Sequence, residues 1–400
     1  MTSPLSAPEV VEKQSLPRRD WVLLPFISII SIVLLMASLE WVARRMFVSS
    51  KTSYVSCMTL DSATGTRGIP NSVCWEKPPE GSLIEYRFNS CGHRAGVECG
   101  PKPRGTYRIV LIGSSVALGQ HVDQDKTFAA LLPGQLTERT GRTVDLYDEG
   151  MGFGFSHRAA LHFNEVLAAQ PDLVLWVLTP LDISEGAEIV PRGNSDPGAG
   201  LGFSTKWSRR LQASLASHSI EGAAATMFSY SKTSYMLQHF LYQSQSATIS
   251  AYLAAPDDEA GYLKAELSAP WRNSLRQFSE DADNIEREAN SAGIPFAATL
   301  VPGRAQAAMI SKGEWPAGFD PYKLNDELRS VIVGHRGIYI DIVRDFRAVP
   351  NPERLYFAMD GHPNAGGSAV IASALAKELT SGAIPALRTA QMQVAVKRGD

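Results

Sequence analysis

The chain has 400 residues, 44% of them hydrophobic, with a formal net charge of −3 at neutral pH. That is enough for one large α/β domain with additions, or for roughly two to three average domains, each with a sizeable core. The charge is nearly balanced and no basic block is interleaved with aromatics, which excludes a nucleic-acid partner.

Residues 1–20 are polar and read as a cytosolic tail. Trp21 to Leu39 carry no charge and are dominated by Leu, Ile and Val. At 1.5 Å rise per residue they span about 28 Å, close to the hydrocarbon thickness of a bilayer. Trp21 and Trp41 flank the stretch, as an interfacial aromatic belt requires. A cleaved signal peptide would have a shorter apolar stretch ending in small residues, whereas Glu40-Trp41-Val42-Ala43-Arg44-Arg45 follows here. The expectation is an uncleaved anchor over 21–43. A buried soluble helix is the other reading.

Basic residues on the two sides of the anchor nearly balance: Lys13, Arg18 and Arg19 against Arg44, Arg45 and Lys51. Cysteines break the tie. Cys57, Cys74, Cys91 and Cys99 cluster after the anchor, and the rest of the chain has none. No CxxC spacing points to zinc, so disulfides in an oxidising compartment are expected. Three pairings are open and Cys57–Cys74 with Cys91–Cys99 is preferred; four free thiols is the rival. The expected location is the bacterial inner membrane, single-pass, with residues 44–105 as a Cys-containing periplasmic preamble.

From Tyr107 the pattern becomes α/β. Arg108–Ile112, Thr143–Tyr147, Asp172–Leu178, Pro295–Val301 and Ile338–Ile342 read as buried strands. Thr127–Leu136, a helix capped by Ser156 and running through Ala169, Tyr322–Val333 and Ala365–Leu379 read as helices. Trp271, Leu275, Phe278, Ala282, Ile285 and Ala289 recur at helical spacing. The alternation implies right-handed βαβ units, a parallel sheet and a three-layer α/β domain over 106–183 and 269–382. Residues 184–268 interrupt it as a helical insertion, a cap or in part a lid, whose Tyr230, Tyr235, Phe240 and Tyr242 read as core more than as a substrate platform. Residues 383–400 read as a loose tail.

Asp360-Gly361-His362 places a carboxylate and an imidazole on one turn before a helix, the base and orienting acid that a serine nucleophile needs. Gly113-Ser114-Ser115 ends the first sheet strand, where ligands bind in open parallel sheets. The remaining histidines, His93, His121, His157, His162, His218, His239 and His335, show no metal-ligand spacing and read as surface or packed residues. No metal or cofactor is expected.

Leu111-Ile112-Gly113-Ser114-Ser115-Val116-Ala117-Leu118-Gly119 resembles the first block, G-D-S-x-x-x-G, of the SGNH/GDSL hydrolases. Asp148-Glu149-Gly150-Met151-Gly152-Phe153-Gly154 is similar to their second block, Thr179-Pro180-Leu181-Asp182 stands where their third, G-x-N-D, is expected, and Asp360-Gly361-His362-Pro363-Asn364 matches the last. Arg87 to Arg94 fits the lead-in of membrane-anchored bacterial members that modify cell-surface polysaccharide. The resemblance implies a flavodoxin-like SGNH domain in which Ser115 is the nucleophile, His362 the base and Asp360 its acid. The backbone N–H groups of Ser115 and Gly150 would form the oxyanion hole, with Ser114, Asp148 and Asp182 in support.

Two positions depart from the pattern. The Asp of the first block is Ser114, and the Asn of the third, an oxyanion donor, falls on Leu181; Asn89 or His157 could replace that donor. The function implied is a periplasmic serine esterase or O-acyltransferase acting on acyl groups, acetyl above all, of a cell-surface or exported polysaccharide. Carbohydrate is the implied substrate, and polysaccharide-synthesis or export proteins are the implied partners. The alternatives are a catalytically weak glycan-binding or assembly component, and a membrane-proximal lipid esterase.

Overall fold

The structure, a computed structural model, describes residues 17, 19–61, 65–152, 156–161, 163–184, 231–255, 258–389 and 391–392. Its centre is a parallel sheet of five strands: β5 (Tyr107–Gly113), β6 (Val144–Asp148), β7 (Leu173–Leu178), β8 (Phe296–Leu300) and β9 (Ile338–Tyr339), in spatial order β6-β5-β7-β8-β9. Every residue of β5 and β7 is buried, which explains their continuous apolar runs: helices cover both faces of the sheet. The chain steps from β5 to β6 on one side and then to β7 on the other. That reversal opens a crevice beyond the carboxyl ends of β5 and β7. The three-layer flavodoxin-like expectation is met.

The amphipathic helix Ala269–Ser291 buries Trp271, Phe278, Ala282, Ile285 and Ala289, and Phe278 stacks on Trp176 of β7 at 5.1 Å. The first helix after β6 is described as Ser156–Leu161 and Phe163–Ala168. Ser156 donates its hydroxyl to Asp281 at 2.9 Å, so it ties this helix to Ala269–Ser291. The helix Arg304–Lys312 has no counterpart in the sequence reading; half of its buried residues are alanine, which gives a weak periodic signal. Beyond the helix Ala365–Leu379 the chain is not loose up to Thr389: Ile384 and Leu387 are buried in the main core, a correction to the expected tail. Residues 390 and 393–400 lie outside the described ones.

Before the sheet, β1 (Met58–Asp61) pairs antiparallel with β2 (Gly65–Gly68), and β3 (Val73–Glu76) with β4 (Ile84–Arg87). Both preferred disulfides are present, Cys57–Cys74 and Cys91–Cys99. Tyr54, Cys57, Cys74, Ile84, Tyr86 and Phe88 form a second small core with Leu118. The preamble is thus packed against the segment that follows Ser115.

One N-terminal helix, Asp20–Met46, is long and apolar enough to cross a membrane, and its apolar side chains are exposed. Its end is tied to the insertion. Glu40 accepts hydrogen bonds from Ser231 Oγ at 2.9 Å, Lys232 N at 3.1 Å and Thr233 N at 3.0 Å. Of the insertion, residues 185–230, Tyr230 among them, lie outside the described ones; the described part forms the helices Lys232–Leu241 and Gln245–Leu253. Tyr235 packs edge-on against Phe47 at 5.1 Å and Tyr242 is half-buried. Phe240 is 53% exposed, which corrects its expected core placement.

Candidate active site

Ser115 follows β5 in a tight turn that glycine makes feasible. A Cβ on Gly113 would lie 2.4 Å from the Val177 carbonyl oxygen of β7. The turn closes through Leu118 N–H to Ser114 O at 3.0 Å and Gln120 N–H to Ser115 O at 3.0 Å. Arg94 then fixes the outer half of the loop. Its buried guanidinium donates to Leu118 O (2.9 Å), Gly119 O (2.7 Å) and Val122 O (2.8 Å) and lies over the Tyr86 ring at 4.2 Å. Burial pulls its pKa down from the usual arginine value. The sequence reading missed this role, although Arg94 stood in the lead-in block it quoted.

The opposite wall is the turn Tyr356–Pro363. Asn364 caps the helix Ala365–Leu379, its Oδ1 accepting from Gly367 N at 3.1 Å. Gly361 takes φ 89°, a left-handed conformation in which glycine carries no Cβ penalty. Glu80 accepts the N–H groups of Met359 (2.9 Å) and Asp360 (3.2 Å). From the other side Arg304 donates to Ala358 O, to Tyr242 O of the insertion and to Thr248 Oγ1.

These two walls bring three distant residues together. His362 Nε2 lies 2.7 Å from Ser115 Oγ, and His362 Nδ1 lies 2.5 Å from Asp360 Oδ1. Asp360 Oδ1 also accepts the His362 N–H at 3.1 Å. Burial alone would raise the Asp360 pKa, but the imidazoles of His362 and His121 hold it well below the usual carboxylate range. The arrangement is a serine–imidazole–carboxylate relay at the mouth of a parallel sheet.

A second imidazole meets the same carboxylate. His121 Nε2 stands 3.3 Å from Asp360 Oδ2 and its Nδ1 3.6 Å from Glu76 Oε2, with its ring edge-on to His362 at 5.6 Å. Among the described residues, His121, Asp360 and His362 form a group whose ligand-type atoms lie within 4.8 Å of one another. Two histidines whose chain spacing signals nothing are joined here by folding.

The other expected residues divide. Ser114 is buried beside Ser115 and its carbonyl closes the turn. Among the described residues, the Ser115 N–H has no acceptor. The Gly150 N–H does not match its expected role: it donates to Asp148 Oδ1 at 2.7 Å, so in this structure it is spent within its own loop. Gly150 is still required, because a Cβ there would lie 2.5 Å from Leu118 N. Burial pushes Asp148 up to about 8, against the Gly150 N–H and Arg94, which lower it. Burial, with Glu165 and Asp148 nearby, also pushes Glu149 up to about 8. Asp182 caps its own turn, Oδ2 accepting from Thr179 N and Oγ1, each at 2.7 Å.

Leu181 is 43% exposed and offers no donor. Both proposed replacements have partners of their own. Asn89 Nδ2 is committed to Val97 O and Tyr147 Oη, and His157 Nδ1 to Asp281. Both are held by structural partners.

No protein-family model matches the chain, and no curated protein matches it. Among solved structures it is similar to TesA, with 10% identity and a TM-score of 0.38 over 70% of this chain and 99% of that one. It is also similar to a member of the lipolytic protein G-D-S-L family from Veillonella parvula, with 11% identity and a TM-score of 0.35 over 69% of this chain and 99% of that one. The strand order, the place of Ser115 after the first sheet strand and the Asp-x-His turn before the helix Ala365–Leu379 agree with the three-layer arrangement that the sequence blocks implied.

Proposed function

We propose that the protein is a periplasmic serine esterase or O-acyltransferase acting on acyl esters, acetyl above all, of a cell-surface or exported polysaccharide. The observation that carries the esterase chemistry is the 2.7 Å contact between Ser115 Oγ and His362 Nε2, with Asp360 behind it. In this reading Ser115 attacks the acyl carbonyl as His362 takes its proton, and Asp360 stabilises the imidazolium. The Ser115 N–H meets the developing oxyanion, and Gly150 joins it when its N–H leaves Asp148. Each such donor supplies about 3 kcal/mol of transition-state stabilisation. His362 then protonates the departing sugar alkoxide, and water or a second sugar hydroxyl resolves the acyl-enzyme. The compartment is supported by the two disulfides and the apolar N-terminal helix; the carbohydrate substrate is supported by the resemblance of the sequence blocks.

A second reading, a catalytically weak domain that binds glycan or assembles with polysaccharide-synthesis or export proteins, is favoured by one observation. Leu181 supplies no oxyanion donor and the Gly150 N–H is engaged. Turnover of p-nitrophenyl acetate by the full-length protein, compared with Ser115→Ala, separates the two. Loss of turnover and of fluorophosphonate labelling in the variant is the result expected of the esterase. Equal rates would leave the binder.

A further inference from the structure

His121 is the side chain at this site that the relay leaves unexplained. Its backbone is left-handed, with φ 64°, where a residue bearing a Cβ is disfavoured and glycine is not. The imidazole is nevertheless buried, with 9% of the side chain exposed. Its N–H donates to Tyr86 Oη at 2.8 Å, its ring meets Phe357 edge-on at 5.9 Å, and its two nitrogens face Asp360 and Glu76. A strained backbone kept for one specific set of polar contacts points to a role in the site.

We infer that His121 is a positioning residue for the esterase reaction proposed above. Its Nε2–H holds Asp360 Oδ2, so that Oδ1 of the same carboxylate stays in line with His362 Nδ1. The relay is then a chain of four groups, Ser115–His362–Asp360–His121. A carboxylate held at one oxygen alone can swing about its Cβ–Cγ bond. Held at both, it presents a fixed lone pair to the base.

The surroundings also set the charge of this imidazole. Asp360 and His362 face it from the catalytic turn, Glu76 from β3, Glu80 from the β3–β4 connection and Tyr86 from β4. Gln120 accepts from Tyr54 Oη at 3.3 Å through its Oε1, and its Nε2 stands 3.1 Å from His121 Nε2, the same nitrogen that faces Asp360. Burial disfavours the cation, but Asp360, Glu76 and Glu80 outweigh it, so the pKa is raised. The charged form therefore persists below that raised value and is lost as the pH rises through it. Loss of the charge weakens the hold on Asp360, which gives the rate an alkaline limb.

The test uses the full chain in detergent with p-nitrophenyl acetate. His121→Gly removes the ring and relieves the backbone, so the variant is expected to fold, as circular dichroism will show. Its kcat should fall about ten- to a hundredfold, the scale of a small misplacement of a reacting group, with KM within about twofold. Imidazole in the buffer should recover part of the rate, and the alkaline limb should be absent. His121→Asn, which tolerates the left-handed backbone and keeps a donor, should recover much of kcat without the limb. A folded His121→Gly with kcat within about twofold of the parent would overturn the inference. So would a loss that neither imidazole nor Asn reverses. Turnover that survives Ser115→Ala is a separate result, which removes the esterase reading and this role with it.

Discussion

The carboxylate of Glu80 lies directly beneath the backbone of Asp360, accepting its N–H at 3.2 Å and that of Met359 at 2.9 Å. Glu80 also takes His239 Nδ1 at 2.5 Å, and His239 packs on Phe47 at 5.0 Å. A continuous set of contacts therefore runs from the end of the apolar helix, through the insertion, to the turn that carries Asp360 and His362.

That relationship predicts the outcome of Glu80→Ala. Charge-assisted hydrogen bonds to the two N–H groups are lost, so stability should drop by about 2–4 kcal/mol and kcat should fall as the turn loosens. Glu80→Gln keeps one acceptor and should be intermediate. Thermal denaturation and steady-state kinetics of both variants check this; a Glu80→Ala protein identical to the parent in both would contradict it.

Arg94→Met preserves much of the side-chain volume but leaves the carbonyls of Leu118, Gly119 and Val122 without their shared donor. The expected cost is about 3 kcal/mol, because the Leu118 and Val122 carbonyls lose the guanidinium donor while Gly119 O keeps only the Val122 N–H. Since these carbonyls belong to the loop that follows Ser115, labelling of the serine by fluorophosphonate should slow in step with the loss of stability.

Asp148 and Glu149 predict an unusual pH dependence. Both carboxyl pKa values are pushed up to about 8 in the folded protein. Between the ordinary carboxylate range near 4 and about 8, the native state therefore binds more protons than the unfolded state, and stability falls as pH rises. Their contribution is fully present below the unfolded value and gone above about 8. Asp148→Asn keeps an oxygen acceptor for Gly150 and removes one of the two groups. Its melting temperature at pH 8 should exceed that of the parent, with a shallower decline from pH 5 to pH 8. A steeper decline would show that the sign is wrong.

The Cys57–Cys74 bridge closes a sequence separation of 17 residues, for which chain entropy gives about 3 kcal/mol. Replacing both cysteines by serine should lower the stability of the preamble by that order. It should also reduce turnover, because Leu118 shares the small core with Cys57 and Cys74. Peptide mapping without reduction should recover Cys57 linked to Cys74 and Cys91 to Cys99.

Local chemistry made most of the fold legible in advance. The runs in β5 and β7 announce strands buried on both faces. The three-four spacing of Trp271, Phe278, Ala282, Ile285 and Ala289 announces the long helix. Asp360-Gly361-His362 before Asn364 announces a turn that pairs a carboxylate with an imidazole, with a capped helix behind it. The alanine-lined helix Arg304–Lys312 stayed hidden because small side chains give little contrast. The packed segment at Ile384 and Leu387 stayed hidden because one or two apolar residues carry no period. Gly150 was legible as a residue but not as a donor: which acceptor a backbone N–H finds depends on where Asp148 points.

What the sequence by itself determined is therefore whatever neighbouring residues encode by period, cap or turn: the sheet strands, the apolar N-terminal helix, the cysteine cluster, and the identities of Ser115, Asp360 and His362. Only the tertiary structure decided that His121 shares the Asp360 carboxylate, that Arg94 gathers the carbonyls behind Ser115, and that Asn89 binds Tyr147 and His157 binds Asp281. Hydrogen bonds act over about 3 Å. Partners separated by tens or hundreds of residues are chosen by how elements pack, and no local pattern records that choice.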